Sequence, residues 1–217
     1  MNLVAYAPLI VQGTLMTLAA WIVAGSLSLL IGITIGVMSC RHLASDRMMM
    51  AVRVYTFIAK GIPAYVQILI AYFVVPAMLG INIPGFIAAV GALAFCSSGY
   101  VTEIVRSGIN SIPAGQWDAC FVLGYPMKAT LRRIILPQTF KNILPTLLGE
   151  LEQLLKSTSL LASIGITELT RTGMNIISRE LNPIPVYLTI ACIYLVFSAV
   201  LQCIIISTEA KGHRGNY

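Results

Sequence analysis

Glu150, Glu152 and Lys156 stand in an otherwise apolar stretch of about residues 143–164. An ionisable group in a membrane helix is costly when it faces lipid, so it turns to a path, a partner subunit or another charge. Glu152 and Lys156 are four apart, in the order that favours an intrahelical ion pair. Mutual neutralisation is preferred for them over a direct ligand role. Glu150 has no such partner. Gln153 and Ser157 follow it by three and seven residues, making a polar stripe at helical spacing. Such a stripe suits either the wall of a translocation path or a polar contact between two subunits. Nothing here reads as catalysis. No Ser-His-Asp, Cys-His or CxxC set occurs, no metal site is read, and His42 and His213 lie in a basic loop and the tail. Cys40, Cys96, Cys120, Cys192 and Cys203 read as small buried hydrophobes.

A second segment, residues 115–137, suits docking rather than reaction. It reads G-Q-W-D-A-C-F-V-L-G-Y-P-M-K-A-T-L-R-R-I-I-L-P. A short helix would present a bulky face (Trp117, Phe121) and a small one (Ala119, Cys120), flanked by Gln116 and Asp118. Gly124 breaks that helix and Pro126 is suited to start another. An amphipathic helix resting on the membrane is the plainer alternative, but it explains neither Gly124 nor the spacing to Pro137. Elsewhere, Lys60 reads as a snorkelling anchor, Pro63 and Gln67 as shaping a path-lining kink, and Glu103 with Arg106 as a local pair.

The elements that hold these residues are membrane helices. Of 217 residues, 58% are hydrophobic and 10% charged, with mean hydropathy +0.86. A soluble domain of this size cannot cover its surface with so few charges. The expectation is one all-α membrane domain, residues 1–217, with about five spans near 6–40, 61–79, 84–105, 143–164 and 186–207. Gly32 and Gly36 permit close helix contact in the first. No basic segment precedes it, so no cleaved signal is expected. The net charge of +6 is explained by basic loops rather than by nucleic acid. Those loops hold Arg41, Arg47 and Arg53, then Arg106, Lys128, Arg132, Arg133 and Lys141, and the tail adds Lys211 and Arg214. Positive loops stay inside, which places the N-terminus outside, the C-terminus inside and residues 115–137 in the cytoplasm.

On that topology, residues 118–137 resemble the "EAA loop" of ABC-importer permeases. Asp118-Ala119-Cys120 stands for E-A-A, Gly124 for its glycine, and Ile134-Ile135-Leu136-Pro137 for its end. Lys60-Gly61-Ile62-Pro63 with Gln67 resembles the R-G-T-P-x-x-x-Q of the polar amino-acid permeases. Glu103–Ile109 followed by Ser111-Ile112-Pro113, and Lys156–Leu160 leading to Thr167-Glu168-Leu169, fit the same subfamily in order. Departures are Asp for Glu at 118, Cys for Ala at 120, Lys for Arg at 60, and the glutamates at 150 and 152.

The resemblance implies a permease subunit of the bacterial inner membrane, paired with a second permease, identical or homologous. It also implies two cytoplasmic ATPase subunits, an extracytoplasmic substrate-binding protein and an amino-acid substrate. ATP and Mg belong to the ATPase, since this chain has no G-x-x-x-x-G-K-[ST] loop. ATPase coupling would fall on Gln116, Trp117, Asp118, Ala119, Cys120, Phe121 and Gly124. The substrate path would fall on Glu150, Gln153, Ser157, Gln67 and Pro63, and the excess carboxylate favours a basic amino acid. The alternative is an ion- or proton-coupled secondary transporter that uses the intramembrane glutamates.

Overall fold

A computed structural model describes residues 3–213, and all of its regular elements are helical. Asn2, Arg214 and Tyr217 lie outside the described residues, and the side chains of Lys211 and His213 are likewise not described. Helix α1, Ala7–Met38, runs uncharged for 32 residues after a 3-10 turn, Leu3–Tyr6. Its buried side is a stripe of small residues at Gly13, Thr17, Ala20, Ala24, Ser28, Gly32 and Gly36. Gly13 and Thr17 meet Leu169 and Thr172, and the rest of the stripe lies along α4, Gly85–Asn110, in the most extensive helix pair of the fold. A Cβ at Gly32 would stand 2.5 Å from Val101 Cβ, and one at Gly36 would stand 2.7 Å from Val105 Cβ. The glycine pair therefore serves a contact within the chain.

Helix α2, Asp46–Gly61, starts at Ser45, whose hydroxyl accepts the Met48 N–H at 3.4 Å. Helix α3, Ala64–Leu79, follows at an angle of 95° and contains a π turn, Ile70–Val74. The bend falls at Ile62–Pro63, because proline removes a helical N–H and pushes the residue before it to extended backbone. Ile62 is extended accordingly, at φ −96° and ψ 128°.

Helix α4 is the centre of the bundle. Of its apolar window 61% is buried, against 28% for α1 and 11% for the last helix. Helix α5, Ala114–Val122, ends where Gly124 takes φ +70°, a left-handed conformation that glycine adopts without penalty. A short turn, Met127–Thr130, and a π turn, Leu131–Ile135, lead into α6, Leu136–Ser157. After a 3-10 segment, Thr158–Ile164, comes α7, Leu169–Glu180. The Glu168 carboxylate caps α7 by accepting the N–H groups of Thr170 (2.8 Å) and Arg171 (2.7 Å). Helix α8, Pro183–His213, is the last described element.

Three described helices are long and apolar enough to span a membrane: Val4–Met38, Gly85–Asn110 and Pro183–Thr208. The bent pair α2–α3 makes a fourth if it counts as one span. The expected span at 143–164 divides into the end of α6 and the 3-10 segment, and its three charges keep it out of the apolar set. The cysteines also differ from expectation. Cys40 and Cys120 are buried and Cys96 is half-buried, but Cys192 and Cys203 are exposed on the apolar surface of α8.

Candidate functional site

The bend between α2 and α3 opens a cavity of about 280 Å³ against α4 and α6. Lys60, Ile62 and Pro63 form its wall at the bend, Cys96, Ser97 and Tyr100 come from α4, and Glu150, Gln153 and Ser157 from α6. The polar stripe read from helical spacing thus shares one cavity with Pro63. Ser97 Oγ donates to Glu150 Oε1 at 2.8 Å, the contact that meets this carboxylate inside the bundle. Ser157 Oγ donates to the Gln153 carbonyl at 2.9 Å. Lys60 Nζ sits 5.7 Å from the Tyr100 ring centroid, within cation–π range.

Lys60 is therefore a cavity residue and corrects the expectation of a snorkelling anchor. A lysine at the end of an apolar run reads as an anchor until the bend turns that end into a wall. Gln67 needs the opposite correction. It is buried beneath the bend and is not among the cavity-lining residues. Its amide donates to the carbonyls of Ala59 (2.8 Å) and Ile62 (2.7 Å), which the bend leaves without helical partners.

Glu152 turns away from this cavity. Its carboxylate accepts from Lys156 Nζ at 2.7 Å, and the pair lines an open groove of about 580 Å³ against Tyr194, Ser198 and Gln202 of α8. Glu103 and Arg106 pair at the end of α4.

The surface segment has two sides. Trp117 and Cys120 face the bundle and are 7% and 4% exposed. The Trp117 indole stacks on the His42 ring at 3.9 Å and 14°. Next to His42, the Arg41 N–H donates to Asn110 Oδ1 at 3.2 Å, so the loop after α1 holds both the end of α4 and helix α5. Gln116, Asp118, Ala119, Phe121 and Gly124 are exposed, Phe121 at 86%. The expectation that Trp117 and Phe121 share an outward face is corrected. At about 100° per residue the buried stripe centres between Trp117 and Cys120, and Phe121 falls about 70° off it. The outward apolar surface is Phe121, Val122 and Leu123.

Burial pushes the Glu168 carboxyl above the usual range, and the Thr170 and Arg171 N–H groups and the Tyr194 hydroxyl (3.3 Å) oppose that rise. Burial likewise raises the Cys40 thiol. Sequence reading missed Ser97, Cys96 and Tyr100 in the cavity and His42 beneath the surface helix. For Ser97 a signal existed in the polar run Cys96-Ser97-Ser98 within an apolar span.

Residues 28–205 match the family described as the binding-protein-dependent transport system inner membrane component. The arginine transport system permease protein ArtQ of Bacillus subtilis is 33% identical over 94% of this chain and 92% of its own. The glutamine transport system permease protein GlnP of Escherichia coli K12 is 32% identical over 94% and 93%. A crystal structure of an amino acid ABC transporter with histidines superimposes with a TM-score of 0.88 at 34% identity, covering 97% of both chains. An inward-facing structure of the MetNI methionine ABC transporter shares the fold, with a TM-score of 0.82 at 18% identity over the whole of both chains. A likeness that spans nearly the whole chain, in sequence and in fold, settles the matter: the chain belongs to the binding-protein-dependent transport system inner membrane components.

Proposed function

We propose that this chain is the permease subunit of an ATP-driven importer of polar amino acids and that the cavity between α2, α4 and α6 belongs to its substrate path. The observation that carries the reading is a cation and a carboxylate, Lys60 and Glu150, lining one cavity with Ser97 and Gln153. Every amino acid brings a carboxylate, for which Lys60 is the matching charge. A basic side chain adds a second cation, for which Glu150 is the matching charge, whereas glutamate would meet like-charge repulsion. The names of the relatives, arginine and glutamine permeases, support the class of cargo.

The working assembly is a pair of permeases, identical or homologous, two cytoplasmic ATPase subunits that use ATP and Mg, and an extracytoplasmic binding protein. Basic loops set the chain in the bacterial inner membrane with its N-terminus outside and its C-terminus inside. That orientation places α5 in the cytoplasm, where Phe121, Val122 and Leu123 offer an apolar surface to an ATPase groove. The Trp117–His42 stack then ties any displacement of α5 to the loop between α1 and α2, and through α2 to Lys60. Alternating access requires contacts that differ between two states. This linkage is where such a difference reaches the cavity.

The test is uptake of labelled arginine into proteoliposomes that hold the chain with its partner subunits and binding protein. Uptake should require ATP on the ATPase side and vanish for the chain alone. Uptake by the chain alone, driven by a proton gradient, would replace this reading with a secondary transporter using Glu150.

A further inference from the structure

We infer that Gln67 is a positioning residue: its side-chain amide replaces the N–H that Pro63 lacks and so fixes the bend that holds Lys60 at the cavity. The inference rests on the cavity reading above. In an uninterrupted helix the N–H of residue 63 would bond the carbonyl of residue 59. Pro63 has no N–H. Gln67 Nε2 occupies that role at 2.8 Å from the Ala59 oxygen. Its second N–H reaches the Ile62 oxygen at 2.7 Å, on the extended residue at the corner. The backbone N–H of Gln67 also bonds the Pro63 carbonyl at 3.1 Å and starts α3. One residue thus supplies three donors across a 95° bend.

The amide orientation follows from its partners, since the reverse would set Oε1 against two carbonyl oxygens. In the orientation found, Gln67 Oε1 is buried without a hydrogen-bond partner. An orphaned buried acceptor is costly, so the site carries that cost to keep both donors on the bend. Only a side chain with two N–H groups on one atom does this at that reach. Glutamate, nearly the same shape, would bring oxygen against oxygen. The residues that the bend delivers to the cavity are Lys60, Ile62 and Pro63.

Two readouts test this in the whole transporter. Spin labels at Phe57→Cys and Met78→Cys, exposed positions on the two arms, report the bend by their separation in a background lacking the native cysteines. Uptake kinetics report KM apart from the maximal rate. Gln67→Leu should broaden and lengthen the label separation and raise KM about tenfold, the factor that one net hydrogen bond corresponds to. Gln67→Glu should do more damage than Gln67→Leu despite its closer shape. Adding Pro63→Ala to Gln67→Leu should restore thermal stability, because the new N–H can reach the Ala59 carbonyl, yet leave KM high as the bend opens. If Gln67→Leu does not assemble, Gln67→Asn, one methylene short of both carbonyls, reads the same two quantities. An unchanged label separation overturns the proposal, and so does a broadened one with an unchanged KM. A Glu150→Gln transporter with normal uptake would instead overturn the cavity reading, while the label separations still judge the bend.

Discussion

Glu150 and Phe121 are each out of keeping with their surroundings, in opposite senses. One is a carboxylate inside an apolar bundle, and the other is a phenyl ring 86% exposed on the surface. The neighbours differ as well. Glu150 is met by a hydroxyl at 2.8 Å and by open cavity, which on the proposed reading leaves its carboxyl for the cargo. Phe121 is presented by a helix whose other side is pinned through Trp117 on His42. On the proposed reading, the polar group is the working part of the cavity and apolar packing is its frame. On the surface helix the same reading makes the buried indole the frame and the exposed ring the working part.

The largest effect should separate frame from working part on the surface helix. Trp117→Ala removes a buried indole and should cost about 3–5 kcal/mol, read as a lower unfolding temperature of the purified transporter. Phe121→Ser should leave stability within about 0.5 kcal/mol of the parent and weaken retention of the ATPase during purification. Equal unfolding temperatures for the two variants would break the contrast.

A smaller change sharpens it. Gly124→Ala forces a left-handed conformation on a residue with a Cβ and should cost about 1–2 kcal/mol. A Cβ there meets nothing within 4 Å, so the loss comes from the backbone alone. Gly124→Asn should be milder, because asparagine tolerates that region. Thermal unfolding of the pair checks it.

The smallest effect concerns Glu168, a buried carboxyl with no place in the cavity. Burial raises its folded pKa above the unfolded value of about 4.3. The folded state then binds more protons than the unfolded one in that window. Stability from this group is full below about pH 4.3 and is lost as pH rises through the raised folded value. Glu168→Gln should flatten that fall in unfolding temperature. A slope unchanged in the variant would assign it to other groups.

Much of both regions was legible in the sequence where one helix carries the whole pattern. Glu150, Gln153 and Ser157 share a wall because their spacing is helical, Glu152 and Lys156 pair for the same reason, and α5 stops before Gly124. What was not legible depends on two elements meeting. Lys60 reaches the cavity through a 95° turn, and no periodicity encodes the direction of a turn. Gln67 read both as shaping the kink and as part of the path, because the carbonyl partners that hold it at the bend were not visible. Trp117 and Phe121 share a face by spacing, but the larger ring found His42, from a loop some 75 residues earlier in the chain, and the stripe followed it.

The central claim is that Glu150 meets the cargo. The direct measurement is uptake of labelled arginine, histidine, glutamine and glutamate by proteoliposomes holding the whole transporter, with Glu150→Gln alongside the parent. The account predicts that the parent prefers the cationic amino acids and that Glu150→Gln loses their uptake selectively, with glutamine far less affected. A parent that prefers glutamate, or a variant whose substrate profile is unchanged, would contradict it.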